Sequence, residues 1–269
     1  MSCFLGGTPV LGYEERTRDC YLVRLARPEG WPGAKPGQFV LIRLGLLGYD
    51  PLLRRPFSVY AEDDDSIALL VQRRGGFTAR LQGLLRRGGA LELDVLGPLG
   101  NGFELRESGL HVMVAGGIGI AGLGLLALEL SRTQPDSKRV VLLGLPHEGY
   151  LGLGADFAGW GCEVRVSTED GSCGSRGLVT ELLGDVGSPA LGGAEVYACG
   201  PREMLRAVAR WAGGAGARAQ LCMEEMMCCG LGVCLSCVVP VRCGDGWRWV
   251  QSCTEGPVFS AGEIVWEML

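Results

Sequence analysis

The chain has 269 residues, enough for two or three domains with cores of their own, and its 25 basic and 30 acidic residues leave a net charge of −5. That balance gives no electrostatic basis for nucleic-acid binding. The 12 cysteines crowd toward the C-terminus instead of spreading as a disulfide framework, and Met1-Ser-Cys-Phe-Leu-Gly-Gly has neither the basic start nor the apolar core of a secretory leader, so a cytoplasmic protein with reduced thiols is expected.

In chain order, the first hundred residues read as short strands. Cys20–Ala26, Gln38–Leu44 and Ser66–Gln72 are set apart by turn signals such as Pro32-Gly33 and Pro36-Gly37. Such spacing predicts a small closed antiparallel β-barrel. Arg55-Pro-Phe-Ser58 lies before the last of these strands, and Gly75-Gly-Phe-Thr78 opens an apolar-periodic helix after it. A helix N-terminus with glycines before it suits a pyrophosphate, and an arginine adds bidentate charge. Either feature alone is weak, since an arginine is more often a solvated surface residue; together they point to a bound diphosphate. Glycine is abundant throughout, 45 in all, so only clustered glycines carry weight.

Val112 to Leu128 holds no charge and approaches the length of a membrane span, yet five glycines interrupt it. A buried strand, a glycine turn and a helix from about Ala121 to Leu130 explain it better, and a soluble protein is expected. His111–Ala115 begins a second domain, and Arg139–Gly144, Cys162–Val166 and Ala194–Cys199 supply further strands between helical patterns. That alternation predicts an α/β doubly wound sheet, with ligands at the carboxyl ends of its strands. Gly116-Gly-Ile-Gly119 and Cys199-Gly-Pro201 are the loops at such ends. No basic cluster follows the second strand to hold a 2′-phosphate, so if these loops take a nicotinamide dinucleotide, as the resemblance given below implies, NAD is favoured over NADP.

The last segment carries the most specific pattern. Cys229, Cys234 and Cys237 follow a C-x4-C-x2-C spacing, and Cys253 comes after fifteen more residues. This is the plant-type ligand order for a 2Fe–2S cluster. Gly230 and Gly232 let the loop adopt positive φ and turn its amides toward the cluster. Four thiolates also suit tetrahedral zinc, but structural zinc usually takes two short pairs, and only Cys234-x2-Cys237 is one. Cys228 and Cys243 are extra thiols; Cys228 neighbours a ligand and could swap in after damage, but is read as a packed bystander, while Cys3, Cys20, Cys162, Cys173 and Cys222 have no spacing that argues chemistry. Trp247 and Trp249 alternate in a short strand and are read as core or interface packing. His111 and His147 belong to no catalytic motif.

Arg55-Pro-Phe-Ser58, Gly75–Thr78 and Gly97-Pro-Leu-Gly-Asn-Gly-Phe103 together resemble the FAD barrel of the ferredoxin–NADP reductase superfamily. Glu225-x-Met227-x-Cys229-Gly, the gap before Cys253 and Gly256-Pro-Val-Phe259 resemble, within it, the electron-transfer subunit of class 1B, NAD-linked dihydroorotate dehydrogenase. The resemblance covers essentially the whole chain. It implies a multidomain protein: an antiparallel β-barrel FAD domain at 1–105, an α/β NAD domain at 106–220 and a small 2Fe–2S domain at 221–269. Arg55 would pair with the FAD diphosphate and Pro56, Phe57 and Ser58 would pass beside the flavin. Leu70, Val71, Gln72 and the loop Gly75, Gly76, Phe77, Thr78 would line the rest of the dinucleotide. Gly116, Gly117, Gly119, Cys199, Gly200 and Pro201 would take the nicotinamide dinucleotide, with Thr168–Ser172 and Gly177–Thr180 also in the family's style. Phe77 stands where the family has glycine and Gly122 where it commonly has proline.

The resemblance also implies a function. Nicotinamide exchanges two electrons as hydride, a 2Fe–2S cluster carries one, and FAD between them does either. No residue is expected to act as a catalytic acid or base. Electrons would pass between NAD and an FMN-bearing, dihydroorotate-oxidising subunit of pyrimidine biosynthesis, in a heterotetramer of two of each chain. The flavin and NAD subunit of a sulfide dehydrogenase, a ferredoxin–NADP transhydrogenase or a hydrogenase is the alternative, and a zinc-stapled scaffold or redox-sensing regulator is the other.

Overall fold

A computed structural model of the chain describes residues 3–45, 52–186 and 193–269. The N-terminal sheet has seven strands: β1 (Phe4–Glu15), β2 (Cys20–Ala26), β3 (Phe39–Arg43), β4 (Arg55–Ser58), β5 (Ala61–Glu62), β6 (Ser66–Gln72) and β7 (Glu92–Leu99). Their order is β4-β3-β7-β1-β2-β6-β5, with every pairing antiparallel. The sheet curls around a core of Tyr21, Val23, Leu25, Val40, Ile42, Leu69, Val71 and Leu93, capped by helix α1 (Gly76–Arg87).

Among the described residues this sheet is a half-barrel rather than a closed one. Its end strands are β4, of four residues with Pro56 lacking an N–H, and β5, of two residues. Neither offers a ladder long enough to close the ring, although β4 and β6 do approach each other. The second domain packs largely on the outer face of β2 and β6, where Cys20, Leu22, Ala68 and Leu70 share a core with Met113, Ile120 and Leu126.

That domain is a seven-stranded sheet: β8 (Leu110–Gly116), β9 (Lys138–Leu145), β10 (Glu163–Thr168), β11 (Ser175–Arg176), β12 (Glu195–Cys199), β13 (Arg218–Cys222) and β16 (Val258–Ser260). The order is β11-β10-β9-β8-β12-β13-β16, parallel except for β16. Strand order reverses between β8 and β12, which opens a crevice at their carboxyl ends. Helices α2 (Gly124–Thr133), α3 (Ala155–Gly159) and α4 (Arg202–Ala215) cover the faces. The predicted helix start at Ala121 is a 3-10 turn, Gly117–Leu123, and the α-helix begins only at Gly124. A Cβ on Gly124 would overlap the Tyr60 ring, so the turn is drawn tight against the half-barrel.

The remaining segment runs from β13 into the cysteine loop, forms a hairpin of β14 (Val238–Cys243) and β15 (Gly246–Gln251), and returns to the sheet through β16. Trp247 and Trp249 are 46% and 47% exposed on the outer side of this hairpin, edge-to-face at 5.5 Å. They are not core. Val239, Val241 and Val250 are the residues that bury its inner side. His111 is fully buried, its ring 3.0 Å from Gln134 Oε1 and 3.3 Å from the Tyr197 hydroxyl. Among the described residues no helix is long and apolar enough to cross a membrane, and the uncharged run Val112–Leu128 is strand, turn and helix as expected.

Candidate functional site

Two clefts meet at the crevice between the sheets. The first, about 290 Å³, has walls of Phe39, Pro56, Phe57, Leu70, Ile118, Ala121 and Pro257, with Ser58, Gln72, Arg74, Glu224 and Glu225 as its polar points. A flat apolar slot with a few polar groups is what a flavin ring requires. Strand alternation places Leu70 and Gln72 in the cleft and turns the Val71 side chain into the half-barrel core, leaving only the Val71 backbone to face a ligand. Ser58 and Cys199 flank the glycine turn: a Cβ on Gly122 would lie 2.9 Å from Cys199 Sγ and 3.7 Å from Ser58 Oγ. Glycine at this position therefore admits the Cys199 side chain, and a bulkier residue would displace it.

The diphosphate candidates sit at the rim. Arg55 is half-buried and donates from Nη1 to the Leu53 carbonyl at 2.9 Å. Among the described residues no carboxylate pairs with it, whereas its neighbour Arg54 is held with Arg43 on Asp94. Arg55 does not line the cleft, but its charge is uncommitted. At the start of α1, Thr78 Oγ1 accepts from the amides of Arg74 and Gly75, at 3.0 and 3.3 Å. Cβ atoms on Gly75 and Gly76 would meet nothing within 4 Å, so the helix N-terminus is open to an anion. Phe77 points away, buried and stacked with Phe57 at 6.0 Å between centroids. The departure from glycine there leaves the loop clear.

The second cleft, about 490 Å³, lies at the ends of β8, β9 and β10 and beside the start of α4. Gly116, Gly117 and Pro201 line it, as do Glu169, Glu203 and Gly177 to Thr180. Gly117 has φ +54 and open space where a Cβ would be, a backbone that a ligand is free to approach. Gly119, Cys199 and Gly200 do not line this cleft. A Cβ on Gly119 would overlap the Cys199 carbonyl, so this glycine serves the close packing of the two loops.

Two residues not singled out from sequence connect these parts. Arg74 lines both clefts and donates from Nε to Gln72 Oε1 at 2.7 Å. Glu224 reaches into the first cleft and accepts from Cys199 Sγ at 3.4 Å. Protein walls around its carboxyl raise its pKa, a shift opposed by the Cys199 bond and by the Arg74 charge. The pair Arg73-Arg74 before a glycine loop was a legible signal; Glu224 had none, because its partner is twenty-five residues away. His111 and His147 line neither cleft.

The cysteine loop folds as its glycines suggest. Gly230 and Gly232 have φ of +69 and +78, and the amides of Leu231 and Val233 donate to Cys229 Sγ at 3.4 Å each. Cys234 contacts Ser236 Oγ at 3.2 Å, and that hydroxyl, the Ser236 amide and Cys229 push its thiol down to about 6. Cys253 is instead pushed up to about 12, by burial and then by its contact with Cys237. Among the described residues no three His, Cys, Asp or Glu side chains converge on one ion. The thiols fall into two contacting pairs, Cys229 with Cys234 and Cys237 with Cys253. An all-sulfur donor set with amides aimed at sulfur fits an iron–sulfur cluster. Cys237 and Cys253 are buried against Phe39, Leu41, Leu96 and Leu99, with Met227 beside them. Phe39 and Met227 also line the first cleft, so they separate it from the cysteines by little more than a side chain.

A half-barrel, a parallel-rich α/β sheet and a cysteine loop, arranged around two adjoining clefts, define a ferredoxin-reductase-like oxidoreductase subunit with an iron–sulfur domain. A solved structure of an NADH-dependent reduced ferredoxin–NADP oxidoreductase, studied for flavin-based electron bifurcation, matches 97% of this chain and 91% of its own at TM-score 0.81 and 26% identity. A ferredoxin NADP+ reductase from Neisseria gonorrhoeae with bound FAD and NADP shares the fold, at TM-score 0.63 and 18% identity over 79% of this chain and 92% of its own. Residues 224–265 match the family described as the iron–sulfur cluster binding domain of dihydroorotate dehydrogenase B. The electron transfer subunit of dihydroorotate dehydrogenase B (NAD(+)) from Caldanaerobacter subterraneus is 38% identical over 241 residues, 87% of this chain and 90% of its own. That from Shouchella clausii is 34% identical over 265 residues, covering 97% and 98%. The chain belongs to the family of dihydroorotate dehydrogenase B (NAD(+)) electron transfer subunits.

Proposed function

We propose that this chain passes electrons from an FMN-containing, dihydroorotate-oxidising subunit to NAD+, through a 2Fe–2S cluster and FAD. The observation that carries the reading is contiguity: Arg74 is common to both clefts, while Phe39 and Met227 are common to the first cleft and the packing around Cys237 and Cys253. When bound, FAD supplies the exchange between hydride and single electrons. Pro56 to Ser58, Leu70 and Gln72 would hold the flavin, and Arg55 with the open start of α1 would hold its diphosphate. Gly116, Gly117 and Pro201 would admit the nicotinamide dinucleotide. Glu169 and Glu203 in that cleft disfavour a further phosphate, which supports NAD over NADP. Cys229, Cys234, Cys237 and Cys253 would ligate the irons.

The chain's own chemistry is positional. Apolar walls line the slot, and at its edge Glu224 accepts from the Cys199 thiol, with burial holding its carboxyl above the ordinary range. Leu231, Val233 and Leu235 surround the loop cysteines and are 52%, 79% and 63% exposed. We place the catalytic subunit on this apolar rim, in a heterotetramer of two of each chain in the cytoplasm. Cofactor analysis of the anaerobically purified complex tests the reading: one FAD, two irons and two labile sulfides per copy of this chain, with native mass giving two copies of each subunit. Stoichiometric zinc without labile sulfide refutes it.

A further inference from the structure

Cys199 and Cys222 end neighbouring parallel strands, β12 and β13, as direct register partners. Adjacent strands lie about 4.8 Å apart, inside the roughly 4.4–6.8 Å Cα separation that a disulfide spans. Register partners on parallel strands project to the same face, and both side chains belong to the same core cluster, 0% and 2% exposed. The register brings the two thiols side by side, and Cys199 also donates to Glu224 Oε1 at 3.4 Å. Cys222 lines the first cleft, while Cys199 lies directly beneath the glycine turn. β12 leads into the Cys199-Gly-Pro201 loop and β13 leads through Glu224 into the cysteine loop.

We propose that Cys199 and Cys222 are a redox-responsive pair that closes to a disulfide under a thiol oxidant and reopens under a dithiol. Closure removes two protons and two electrons from the thiols as the S–S bond forms; an azo oxidant such as diamide takes them and becomes a hydrazine. Dithiothreitol returns two electrons and two protons, breaks the S–S bond and is itself oxidised to its cyclic disulfide. Contact with Cys222, then burial, then the Glu224 charge hold the Cys199 thiol well above its ordinary range, which slows the first attack on an oxidant. Once either sulfur carries an adduct the other is already in contact, so ring closure is intramolecular and outruns a second encounter. The bond would take the Cys199 S–H away from Glu224 and tie the nucleotide loop to the strand that feeds the cysteine loop. The location beside a flavin rests on the function proposed above; the bond itself does not.

Digestion with trypsin and a glutamate-specific protease isolates each thiol, because Val196–Arg202 contains only Cys199 and Ala219–Glu224 only Cys222. The purified holoprotein is treated with diamide, denatured in N-ethylmaleimide, digested and weighed. The expected product is the two peptides joined, lighter than their sum by two hydrogens, in most molecules, and reopened by dithiothreitol. Cys222→Ser should abolish the joined species and leave Cys199 to be alkylated. Flavin absorbance on the same sample reports separately on the occupant of the cleft. If both peptides carry N-ethylmaleimide after diamide, in flavin-loaded and flavin-free protein alike, or if either is joined only to a cysteine of the 229–253 segment, the pair is not redox-responsive.

Discussion

Gly230→Ala is the sharpest test of how the cysteine loop is seated. Gly230 has φ +69, and an added Cβ would overlap Leu41 Cδ1 and lie 3.1 Å from Leu41 Cγ. The left-handed backbone costs a non-glycine residue about 1–2 kcal/mol. Crowding Leu41, which is 1% exposed and packed with Cys237 and Cys253, adds about 1–3 kcal/mol of overpacking. The expected loss is therefore about 2–5 kcal/mol, read as the urea midpoint for loss of cluster absorbance under anaerobic conditions. Leu41→Ala alone should cost about 2–5 kcal/mol as a cavity. It also removes the atoms that the added methyl group at position 230 would strike, so the double variant should be less destabilised than the sum by about 1–3 kcal/mol. Strict additivity of the two changes would show that the loop does not rest on β3 at Leu41.

Arg55→Ala should weaken FAD binding by roughly ten- to a hundredfold, about 1.5–3 kcal/mol for a charge-assisted contact, measured by flavin titration of the stripped protein; equal retention at limiting FAD would place the diphosphate elsewhere. Glu224 gives a pH signature in flavin-free protein. Its folded pKa lies above the unfolded value of about 4.3, so the folded state binds the proton more tightly and the parent loses stability as pH rises through the folded pKa. Glu224→Gln carries no such penalty, so its urea midpoint should gain on the parent's across that window and level off above it; a gain that shrinks toward pH 8 contradicts the shift. Cys228→Ser should keep the full iron and sulfide content, since Cys228 belongs to neither contacting pair; loss of iron would make it a ligand.

Local signals were legible and distant ones were not. The spacing from Cys229 to Cys253 and the two glycines of its loop are written in consecutive residues, and their positive φ values follow from residue type alone. The strands β2, β3 and β6 announce themselves as apolar runs, broken only by Arg24 within β2. β1 does not: Gly6, Gly7, Pro9 and Gly12 break its pattern, and most of its residues are exposed or half-exposed, yet it is ordered by pairing with β2 and β7 on both sides. Among the described residues the sheet stops at a half-barrel where a closed barrel is expected, because closure depends on the lengths of end strands, which spacing does not reveal. Trp247 and Trp249 suit a buried position by composition, but alternation turns Val250, not the tryptophans, inward. Cys222 and Glu224 acquire meaning only when β6, β13 and the loop after it converge on one cleft, a juxtaposition made by topology.

The central claim is an order of transfer, from partner to cluster to FAD to NAD+, and Cys234→Ser tests it most directly. Cys234 is exposed at the loop and far from both clefts in sequence, so its loss should remove the cluster and leave FAD in place. The measurement compares NADH oxidation by an artificial dye with dihydroorotate-dependent NAD+ reduction in the complex with the FMN subunit. The variant should keep most of the dye activity and lose the coupled reaction. A variant without its cluster that still couples the partner to NAD+ at the parental rate would take the cluster off the path and contradict the account.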